Sequence, residues 1–128
     1  MYEPIRTKSV HTMADDAGFP HRSREEELDI QLAGHLSALL AVTDELSLDE
    51  AAERIAAQIT RLRGAPPVRR AGRGTGDTGA LHRRGHTLAG RTLVVAAARA
   101  DTTVAVLAAG RMDAHAAALA GSRLVGAH

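Results

Sequence analysis

At 128 residues the chain holds one domain at most. With no cysteine, it can have no disulfides, thiolate metal sites or cysteine nucleophiles. Hydrophobic content of 45 % supports a core, but one Tyr, one Phe and no Trp make that core aliphatic and alanine-rich, a composition that points to support from oligomerisation.

The formal charge is only +1, yet it is unevenly spread. Residues 15–54 carry eleven acids against three arginines, and residues 61–91 carry eight arginines against one acid. Two readings follow: an acidic helical half facing a basic one, or a basic surface for nucleic acid. Fifteen of the sixteen basic residues are Arg, which fits a GC-rich bacterial genome. No apolar run approaches the ~18 residues of a membrane span. The opening MYEPIRTKSVHTMADD has no apolar core of a secretory signal. The expectation is a cytoplasmic protein without membrane contact.

Residues 1–22, with Pro4, Pro20 and no periodicity, read as a disordered arm. Ser23 and Glu26 form a capping box, and Glu25 to Glu27 suit a helix N-terminus. Leu28, Leu32, Leu36, Leu39 and Leu46 then make an apolar stripe, giving a first helix from Arg24 to Leu46. His35 sits inside that stripe and is the candidate buried histidine.

Ser47 to Glu50 reads as a second capping box. A second helix, Ser47–Arg63, follows with Leu48, Ala51, Ala52, Ile55, Ile59 and Leu62 on one face. Gly64 and Pro66-Pro67 stop it. Residues 64–76 form a Gly/Pro/Arg-rich linker; they lack the GK[ST] ending of a phosphate loop.

Asp77-Thr78 can cap a third helix, Thr78–Leu119, and residues 122–128 read as a frayed tail. Between Thr92 and Ala109 the only charges are Arg99 and Asp101, so this stretch must be buried within the chain or against a second copy. Its alanines favour helix over strand. Leu93, Ala97, Ala100, Val104 and Leu107 lie on one helical stripe and are the candidate dimer interface. Asp101-Thr102-Thr103 could N-cap a restarted helix, which allows a kink near Ala100.

Chemistry is sparse. His82 and His86 share a helical face but enclose Arg83-Arg84-Gly85, not the H-E-x-x-H of a metalloprotease. Asp113 and His115, two apart, read as solvated or interfacial. No G-x-S-x-G occurs, and the carboxylates cluster where capping explains them. No catalytic, metal or cofactor residues are assigned.

The expected fold is all-α: an antiparallel three-helix bundle, its third helix long, completed by dimerisation. The alternative is α+β with a hairpin at 92–107. The expected role is a non-enzymatic interaction or regulatory protein that acts through self-association and a protein partner. One alternative is nucleic-acid association through Arg61, Arg63, Arg69, Arg70, Arg73, Arg83 and Arg84. Another is a small-ligand pocket near His35.

Overall fold

A computed structural model describes residues 22–72 and 76–126, with side chains described as far as Ser122. The proposed arm, Arg22 apart, lies outside the described residues, as do Arg73 and the last two residues.

The described residues form four helices and no strand: α1 Arg24–Glu45, α2 Asp49–Arg63, α3 Thr78–Arg99 and α4 Thr102–Gly126. This corrects the expected third helix. It breaks at Ala100 and Asp101, and its two halves fold back on one another instead of bending gently. It also corrects the hairpin alternative, since 92–107 is helix on both sides of the break. The last helix runs to Gly126, past the expected stop at Leu119.

Both sharp reversals use the same backbone device. At the α1–α2 turn Leu48 N–H donates to the Thr43 carbonyl and Ser47 N–H to the Asp44 carbonyl. At the α3–α4 turn Asp101 N–H donates to the Ala96 carbonyl and Ala100 N–H to that of Ala97. Each is the paired bonding of a Schellman motif, with Ser47 (φ 59°) and Ala100 (φ 60°) in the left-handed position that glycine usually takes. Ser47 therefore cannot cap α2. That cap position falls to Leu48, which offers no side-chain bond, so the expected second capping box does not form. The other expected caps are present. Ser23 and Glu26 bond reciprocally, Asp77 accepts from Ala80 N–H, Gly64 (φ 79°) closes α2, and Asp101 Oδ1 accepts from Val104 N–H.

α1 packs against α2 and α3, and α3 against α4. The core is aliphatic, as composition requires: Leu32, Leu36, Leu39 and Leu40 of α1 meet Ile55 and Ile59 of α2, Leu88, Ala89 and Ala96 of α3, and Val104 of α4. Ion pairs fix the ends. Arg99 of α3 bonds Asp29 at the start of α1 (3.0 Å), and Arg61 at the end of α2 bonds Asp101 at the start of α4 (2.7 Å). The helices therefore alternate in direction around the bundle. Residues 64–72 of the connection run from the end of α2 back to the end of α1, where Arg69 and Arg70 meet Asp44 and Glu45.

Candidate functional site

The least expected chemistry lies where α3 crosses α4. His115 belongs to the inward stripe that also carries Val104 and Ala108, and all three are fully buried. Its Nδ1 lies 2.9 Å from Nδ1 of His82, with the rings tilted at 57°. Only one proton fits between two nitrogens at that distance. Nε2 of His115 has no partner among the described residues, and an orphaned buried N–H is rarer than an orphaned acceptor. We therefore assign the proton to Nδ1 of His115, donating to His82.

Gly85, one turn beyond His82, makes room for the ring. A Cβ there would stand 2.5 Å from His115 Nε2 and 2.7 Å from Cε1, closer than real contacts allow.

Electrostatics keeps this seam neutral. Burial first, then Arg111, His82 and His86, push His115 down to about 4. Burial and Arg111 also lower His82. Arg111 is itself pushed down, by burial first and then by Arg54, and its Nε is buried without a partner. Neutral at pH 7 and closed to solvent, His115 is poorly placed to exchange a proton with a substrate. No group of three His, Asp or Glu that could hold a metal ion exists among the described residues, so His82 and His86 are not joined by a third ligand.

The second polar cluster ties down the linker. Arg69 forks onto Asp44 through Nε (3.0 Å) and an Nη (2.8 Å), and its other Nη reaches Glu53 (2.9 Å). Arg70 adds its backbone N–H to Asp44 and its guanidinium to Glu45. Arg69 chiefly, helped by the Arg70 N–H, holds the Asp44 carboxyl below its usual range against the opposing effect of burial.

These contacts redistribute the candidate residues. Arg69 and Arg70 are engaged with Asp44, Glu53 and Glu45 of the acidic half, and Arg61 is engaged with Asp101, outside it. Arg63, Arg83 and Arg84 are exposed, and Arg73 lies outside the described residues. The candidate interface is not one face. Val104 is in the chain's own core, Leu93 and Leu107 are half-buried, and Ala97 and Ala100 are exposed. His35 is only half-buried; the enclosed histidine is His115. None of the described grooves is lined by His35. Asp113 is exposed, as a solvated residue should be.

Sequence reasoning missed Gly85, Arg111 and Asp44, and it read His115 as solvated or interfacial where the ring is fully buried inside the chain. A signal existed for that burial: His115 continues the spacing of Val104 and Ala108.

Comparison with protein-family models, with curated proteins and with solved structures finds no match to the chain. Among the described residues no helix is long and apolar enough to cross a membrane. What the chain and its site define is an all-helical protein with a neutral histidine seam.

Proposed function

We propose that the protein is a non-enzymatic helical interaction and regulatory protein of the bacterial cytoplasm, acting through self-association and partner binding. The observation that carries this reading is what the α3–α4 hairpin leaves outside. Val94 is 70 % exposed and Val106 67 %. On α3, Val94 neighbours exposed Ala97 and Ala98, with half-buried Leu93 beside it. Small and β-branched side chains on an exposed helix let a second helix approach closely. A dimer formed through α3 covers Val94, Ala97 and Ala98. Light scattering after size exclusion tests it. Wild type should run at twice the chain mass at both low and high salt, and Val94→Asp should run as a monomer. A wild type that stays monomeric at about 100 µM, well above a micromolar dissociation constant, would remove self-association from the account.

Nucleic-acid association is the second reading, favoured by Arg83, Arg84 and Arg91 exposed along α3. It requires binding that falls steeply between low and physiological salt. Equal binding at both, or none at either, would remove it.

A further inference from the structure

Three pairs of neighbouring helices pack closely, and α2 with α4 is not among them. Those two helices are tied at one end by the Arg61–Asp101 bridge. Beyond it a groove of about 500 Å³ opens between them. Its walls are Ala57 and Arg54 on α2 and Val106, Leu107, Gly110 and Arg111 on α4. The floor is apolar and shallow. At Gly110 nothing stands within 4 Å of where a Cβ would be, so another helix backbone can come close.

The charges along the groove are all positive: Arg54 and Arg111 line it, and no carboxylate does. Arg54 does bond Glu50, but from one turn away on its own helix and in full exposure. Arg111 is the more telling group. It is half-buried on the groove wall, so a carboxylate seated in the groove meets a guanidinium already partly shielded from water, where a charged pair is stronger than in full exposure. A second copy docking by two-fold symmetry would set Arg54 and Arg111 against the same two cations. Charge therefore argues against self-pairing here and for an acidic occupant.

We propose that the α2–α4 groove binds an amphipathic helix of a partner protein. The partner's apolar face lies on Ala57, Val106 and Leu107, and an acidic flank meets Arg54 and Arg111. This is helix-in-groove recognition, with the apolar stripe supplying burial and the guanidinium groups fixing which charge is accepted. The proposal rests on the interaction reading above but uses a different surface from the α3 dimer face, so the two can fail separately.

The test uses the full chain and two labelled model helices of about 20 residues, long enough to fold on a surface. They share one Leu/Ala stripe; one carries Glu on its flanks, the other Lys. Fluorescence anisotropy should show the Glu helix binding at least about tenfold more tightly than the Lys helix. Val106→Asp should weaken the Glu helix by about tenfold. Arg54→Glu, an exposed change, should weaken the Glu helix and strengthen the Lys helix, with circular dichroism unchanged. Equal binding of both helices, binding of neither, or indifference to both substitutions would overturn the proposal. A dimer that Val106→Asp splits and Val94→Asp does not would place a second copy in the groove. That result too would overturn the proposal, while leaving self-association standing.

Discussion

Asp44 and His115 are both buried polar side chains of one small bundle, kept by opposite means. Asp44 is held charged: its side chain is only 4 % exposed, yet a guanidinium fork and a backbone N–H satisfy it. His115 is held neutral: it is fully enclosed, the charge that acts on it most is an arginine, and its polar partner among the described residues is another histidine. A buried ion survives by saturation with partners, and a buried titratable base survives by giving up its charge. The first arrangement anchors a loop that must cross the length of the bundle. The second joins two helices with very little polar bonding and makes their contact dependent on pH.

The largest expected effect comes from removing Asp44's fork. Arg69→Ala leaves a buried carboxylate with the Arg70 N–H as its remaining bond and should cost about 3 kcal/mol in urea unfolding. Adding Asp44→Asn should recover part of that loss, because the stranded charge is gone.

Acid should affect the two sites in separate windows. His115 has a folded value of about 4 against an ordinary 6.5, so between those values the unfolded chain binds more protons. Stability is full above pH 6.5 and falls as pH drops toward 4, by a total on the order of 3 kcal/mol. Asp44 has the opposite character. Its depressed value means that its contribution is intact above 3.8 and is lost only as pH falls further. Unfolding free energy measured from pH 8 to pH 3 should therefore decline in two steps, and His115→Gln should shrink the upper one to the part that His82 contributes.

Gly85 should respond with a change of sign. In wild type, Gly85→Ala drives a Cβ into the His115 ring and should cost about 2 kcal/mol. In a His115→Ala background the clash is gone, and alanine's better helix propensity should make the same change stabilising by up to about 1 kcal/mol. The smallest expected effect is at the α3–α4 turn. Ala100→Gly relieves a left-handed alanine and should raise stability by about 1 kcal/mol in the same assay.

Much of the α1–α2 half could be read directly. Ser23, Glu26, the leucine stripe and Gly64 specify a start, a buried face and a stop, and each appears where its chemistry places it. The α3–α4 half resisted for a physical reason. Its reversal is made by alanine, the strongest helix former, in a conformation that a helix-breaking residue would have announced. The helical period of the apolar residues runs on across the break, so periodicity alone continues the helix through it. Asp101 was the one local clue: it does N-cap a restarted helix, and only the size of the turn, a full reversal in place of a kink, differs. The hairpin also explains the long uncharged stretch. Much of the burial expected against a second chain, Val104 above all, is supplied by the chain itself. His115 and Gly85 are thirty positions apart, and only the reversal brings them together. Asp44's importance likewise depends on a linker arginine twenty-five residues away.

α3 and α4 meet in an internal seam that keeps His115 uncharged. Nitrogen-15 NMR of the imidazoles, followed from pH 8 to pH 3.5, measures this directly. His115 should stay neutral, with its proton on Nδ1, until pH approaches about 4. A His115 that titrates near the ordinary 6.5, or averages its tautomers like a solvated ring, would mean that the seam is open and the fold of this half is not the one described.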